Sequence, residues 1–91
     1  MDKREKYSLM AKIVRELEDL KNSQTAVIKK IGQIETDNIN LDNKTLTKYL
    51  STIYENVDKN LEGVDDLFTI FSEETEKFKK DNNITDEEPV N

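Results

Sequence analysis

Residues 10–41 read MAKIVRELEDLKNSQTAVIKKIGQIETDNINL, and the return of an apolar side chain at every third then fourth position decides the fold. Met10, Leu17, Gln24 and Ile31 occupy one heptad position and Ile13, Leu20, Val27, Ile34 and Leu41 the other. The alternation holds for about four heptads, which predicts a long helix with a coiled-coil seam. Val14 and Ile28 widen the stripe beside that seam, which suits contact with more than one neighbouring helix. Gln24 is the interior polar residue of the row. A polar side chain there either fixes register through a hydrogen-bonding partner or lies at the bundle edge and reaches water.

On the N-terminal side, Asp2 is placed to cap a helix starting near Lys3, so residues 1–34 form the first helix with its seam. On the C-terminal side the chain turns into ETDNINLDNKT, residues 35–45, a cluster of Asn, Asp and Thr side chains that compete for backbone hydrogen bonds. This is the expected connecting turn. Beyond it Leu46, Leu50, Ile53, Val57, Leu61, Val64, Phe68, Phe71 and Phe78 again recur at helical spacing, predicting a second helix over 46–80 capped by Asp42 or Asn43. The two successive steps of four from Ile53 to Val57 to Leu61 imply a stutter in the heptads. Gly63 follows, marking a bend, a close helix crossing or simple tolerance of a glycine. With a shorter first helix, Phe71 and Phe78 overhang, as a partner site or as core of a self-associated bundle. Residues 81–91 are polar and acidic and read as a disordered tail.

Ninety-one residues make one domain at most, and a chain this short buries only about 60% of the surface its unfolded form exposes. Association is the usual remedy. With no Cys and no His, thiol nucleophiles, disulfides, the usual zinc sites and imidazole bases are absent. There is no glycine-rich phosphate loop, and the many carboxylates fall on polar faces, so no enzyme, cofactor or metal is expected. Asn38, Asn40 and Asp42 have the one-three-five spacing of a calcium loop, but Asn43 stands where glycine is needed and Tyr49 where a bidentate glutamate is needed. No apolar run approaches a membrane span or a signal peptide, so a soluble intracellular protein is expected, with leaderless secretion compatible.

Charge divides unevenly. Residues 1–34 carry eight Lys or Arg against five Asp or Glu, and residues 35–91 carry six against fifteen, within a total of −6. An acidic second half argues against direct nucleic-acid binding and fits a basic helix lying beside an acidic one.

The layout and Tyr54 to Asp58 (YENVD) resemble the small helical proteins of type VII secretion, whose export pattern is Tyr-x-x-x-Asp. Their Trp-x-Gly turn is replaced here by ETDNINLDNKT. Size and heptad character are equally similar to small coiled-coil subunits of eukaryotic assemblies such as kinetochore ring or organelle-tethering complexes, and no family is assigned. The expected fold is all-α, a two-helix antiparallel hairpin or coiled coil that completes a helical bundle by oligomerisation. Met10, Ile13, Leu17, Leu20, Gln24, Val27, Ile31 and Ile34 would meet Leu50, Ile53, Val57, Leu61, Val64, Phe68, Phe71 and Phe78, within the chain or in partner helices. The expected function is that of a non-enzymatic structural or adaptor subunit, in a homo- or hetero-oligomer with other protein helices. The alternatives are a secreted helical partner or chaperone of a larger effector, and an acidic inhibitor imitating nucleic acid.

Overall fold

In the computed structural model, which describes residues 1–85, the Asp2 carboxylate accepts the Glu5 N–H at 2.8 Å and opens α1 (Lys3–Leu41), one uninterrupted helix. That hydrogen bond from the backbone holds the Asp2 carboxyl below its ordinary 3.8, because it favours the charged form. Two residues later begins α2 (Lys44–Asp81), which returns along α1 in the antiparallel direction. Asn38 meets Thr47 at the turn, and Lys6 lies over the Phe78 ring at the other end. At 1.5 Å per residue a helix of this length spans about 58 Å, which accounts for the molecule's extents of 61 × 24 × 18 Å.

The connection is shorter than the expected 35–45 turn, since α1 runs on to Leu41 and only Asp42 and Asn43 lie between the helices. Glu35, Thr36, Asp37 and Asn40 point outward as ordinary helix residues. The Thr36 hydroxyl, instead of breaking the helix, donates to the Gly32 carbonyl at 3.0 Å. Asp42 ends α1 in the left-handed region (φ 50, ψ 44), where its N–H still reaches the Asn38 carbonyl at 2.7 Å. Asn43 then caps α2, its side-chain oxygen accepting the Leu46 N–H at 3.0 Å.

Asn38 closes this turn. It is buried, its side-chain oxygen accepts the Asn43 N–H at 2.8 Å, and its amide donates to the Thr47 hydroxyl at 3.0 Å and the Asn43 carbonyl at 3.3 Å. The Thr47 hydroxyl in turn donates to the Asn43 carbonyl at 3.1 Å. A two-residue link therefore leaves none of these polar groups to be satisfied by water alone.

The seam between the helices differs in one row from the sequence-based expectation. Met10, Leu17, Gln24 and Ile31 face α2 as expected, but the residues alternating with them are Tyr7, Val14, Lys21 and Ile28. Leu20, Val27, Ile34 and Leu41 remain 36–67% exposed and Ile13 is half-buried. The cause is Lys21. Its ammonium reaches Asp65 at 2.8 Å and sits 5.5 Å from the centre of the Phe68 ring, so its aliphatic stem covers seam surface while the charge stays at the edge. A residue that reads as polar thereby completes a core row.

On α2 the inward residues are Leu50, Val57, Leu61, Val64, Phe68, Phe71, Thr75 and Phe78. Ile53 is 44% exposed and stands outside the row, which removes the expected stutter: from Val57 to Phe78 the steps alternate four and three. Thr75 can be buried because its hydroxyl donates to the Phe71 carbonyl at 2.8 Å. Gly63 marks no close crossing, since a Cβ built on it meets nothing within 4 Å. The expected overhang is also absent, because helices of 39 and 38 residues end level with one another and Phe71 and Phe78 are partly covered.

Ile31 and Leu50 are the only buried apolar side chains among the described residues. Beyond Asp81, Asn82 and Asn83 turn the chain, and the Ile84 N–H returns to the Lys79 carbonyl at 3.0 Å. The expected acidic tail falls mostly on residues 86–91, outside the described ones. No described helix is long and apolar enough to cross a membrane.

Candidate interaction face

Two antiparallel helices packed along a single seam have two side faces, and clefts at the open end of the hairpin identify which positions share each. Lys6, Met10, Glu74, Lys77 and Phe78 line a cleft on one side. Tyr7, Ala11, Val14, Ser72 and Thr75 line one on the other. Lys6 and Glu74 thus border the same face, and steps of seven residues along each helix stay on it as long as the seam continues.

From Lys6 those steps reach Ile13, Leu20, Val27, Ile34 and Leu41, and from Glu74 they run back through Leu67, Asn60 and Ile53 to Leu46. Both helices therefore place their leftover apolar rows on one side of the hairpin. The register set by Lys21–Asp65 and Asn38–Thr47 brings Leu20 level with Leu67 and Ile34 level with Ile53, to within about two residues. Positions three residues further round add Leu9, Tyr49 and Ile70. The exposures are those of a surface without a cover: Leu9 43%, Leu20 44%, Val27 45%, Ile53 44%, Leu67 51%, Ile70 56%, Tyr49 59%.

The opposite face is built differently. Arg4, Ala11, Glu18, Thr25, Gly32 and Ile39 on α1 and Lys44, Ser51, Asp58, Asp65, Ser72 and Lys79 on α2 occupy its steps of seven, small, polar or charged residues apart from Ile39, which is 74% exposed. The Ser72 hydroxyl oxygen is buried there without a hydrogen-bond partner. Among the described residues no group of three or more acidic side chains is placed to hold a metal ion. Asn38, first of the three residues with calcium-loop spacing, is committed to closing the turn.

The sixteen residues singled out from the sequence thus divide in two. Met10, Leu17, Gln24, Ile31, Leu50, Val57, Leu61, Val64, Phe68, Phe71 and Phe78 lie in the seam within the hairpin. Ile13, Leu20, Val27, Ile34 and Ile53 lie on the side face, joined there by Leu9, Leu46, Tyr49, Leu67 and Ile70, which sequence reasoning did not include as site residues. Their signal was present as Leu46, Ile53 and Leu67 at multiples of seven, with Asn60 interrupting the row. In comparisons with protein-family models, with curated proteins and with solved structures, nothing matches this chain.

Proposed function

We propose that this chain works without catalysis, as a structural or adaptor subunit whose uncovered apolar face docks against further helices of a protein assembly. The observation that carries this reading is the placement of both helices' leftover apolar rows on one side of the hairpin, the other side having Ile39 alone as a large apolar residue on its steps of seven. Five consecutive heptad steps on α1, from Ile13 to Leu41, are Ile, Leu, Val, Ile and Leu. A row of that regularity is what a helix presents when another helix lies along it. Contiguous apolar surface over most of the length of a monomer is unusual outside interaction sites.

The test is a photo-crosslinking amino acid incorporated in cells at Leu20, on the face, and in a second variant at Ser51, on the opposite side. Adducts to protein at Leu20 and few at Ser51 are expected. Adducts at neither position, or equally at both, would overturn the reading.

A further inference from the structure

We infer that the occupant of this face is a second copy of the same chain, two hairpins closing face to face into a four-helix bundle; the inference rests on the docking role proposed above. Area argues for it first. The molecule exposes 7089 Å², whereas a compact monomer of its 10.6 kDa exposes about 5,500 Å². The apolar rows run about 48 Å along the helices on a face of a molecule 24 Å across, enough for the roughly 800 Å² that each partner contributes to a stable dimer. Burial of about 800 Å² would remove about half of the excess over a compact monomer.

Charge argues next for self-pairing. The chain carries −6 overall, and half of that charge is Asp86, Glu87 and Glu88. On the rows of the face and the positions three residues beyond them within the helices, three lysines stand against four carboxylates. A second copy therefore meets little net repulsion there.

Charge also selects the arrangement. α1 holds eight Lys or Arg against six Asp or Glu, and α2 six against nine. A two-fold axis running along the hairpin lays α1 of each copy over α2 of the other, with both turns at the same end. Lys6 then comes level with Asp81 of the second copy, and the layers at Leu20 and Leu67 and at Ile34 and Ile53 each meet their like. The other face-to-face two-fold lays basic helix on basic helix and acidic on acidic, with the turns at opposite ends.

Light scattering on the purified chain over a concentration series is expected to give twice 10.6 kDa. The double variant Leu20→Ser, Leu67→Ser is expected to shift the population to monomer while keeping the helical circular dichroism of the hairpin. A helical monomer at every concentration overturns the second copy as occupant but leaves docking to another protein standing, whereas the absence of adducts at Leu20 in cells overturns docking itself. An undiminished dimer in the double variant places the contact elsewhere and overturns the inference. Because the chain has no cysteine, Thr45→Cys carries a single spin label. Label-to-label distances well under half the 61 Å long axis are expected, and distances approaching that full length overturn the arrangement with the turns together.

Discussion

Asn38 is the residue on which the hairpin turns, because one side chain satisfies the backbone on both sides of a two-residue link. Replacing it by alanine leaves the Asn43 N–H without its partner beside a buried site, and a lost bond of this kind costs about 1–3 kcal/mol. Asn38→Ala is expected to lower the urea midpoint by that free energy divided by the denaturant slope, the slope itself being unchanged; an unaltered midpoint would show that water replaces these bonds at no cost. Asp2 acts through charge instead. Its folded pKa is lowered by the Glu5 N–H, so its contribution to the cap is fully present above the ordinary 3.8 and is lost as pH falls through the lower folded value. Followed at the Glu5 amide by NMR, the carboxyl titration is expected to have its midpoint below 3.8, and Asp2→Asn to remove that titration. Asp2 was legible in the sequence as a cap. Asn38 was legible only as the next seven-residue step after Ile31, a signal obscured by neighbours whose composition reads as coil.

Each helix carries two apolar rows, and periodicity alone does not say which of them the partner helix covers. On α1, Met10, Leu17 and Ile31 belong to the seam under either choice. The second row is Ile13, Leu20, Val27, Ile34 and Leu41 if hydropathy decides, and Tyr7, Val14, Lys21 and Ile28 once the Lys21 stem, its ion pair and the Phe68 ring are counted. The helices themselves and their pairing were therefore readable from spacing, while the inner and outer rows were exchanged because one lysine counted as polar. The same exchange produced the apparent stutter, through Ile53. The turn was read too wide because Thr36 and Asn40, poor helix formers by propensity, are tolerated on an outward face. Gly32 follows the same logic in reverse: it sits in a helix on the face opposite the apolar rows with open space where a Cβ would stand. Gly32→Ala is expected to raise stability by about 0.5–1 kcal/mol, read as a higher urea midpoint; a lower one would reveal a close approach of the helices at that point.

At the scale of the whole molecule, folding draws on one row of each helix and the proposed association on another, which makes the two separable by substitution. Leu17 lies in the seam within the hairpin, and Leu20, three residues on, lies on the uncovered face at 44% exposure. An aspartate at half-buried Leu17 removes an apolar side chain whose burial is worth about 1.5–3 kcal/mol and adds the cost of a charge between two packed helices. Against a core whose only buried apolar side chains among the described residues are Ile31 and Leu50, that is a large part of the total. Leu17→Asp, and likewise Ile31→Asp, should therefore abolish most helicity and any association together. An aspartate at Leu20 keeps access to water in the single hairpin, where exposed substitutions change stability by only about 0.5 kcal/mol. In an assembled bundle it becomes a charge in a dry interface. Leu20→Asp is thus expected to separate the two properties, with helicity retained at concentrations where the parent chain is associated but the mass reduced to 10.6 kDa. Circular dichroism and light scattering on the same samples make the comparison. If both substitutions removed helicity to the same extent, the hairpin would have no stability apart from its partner, and the side face would have to be counted as core.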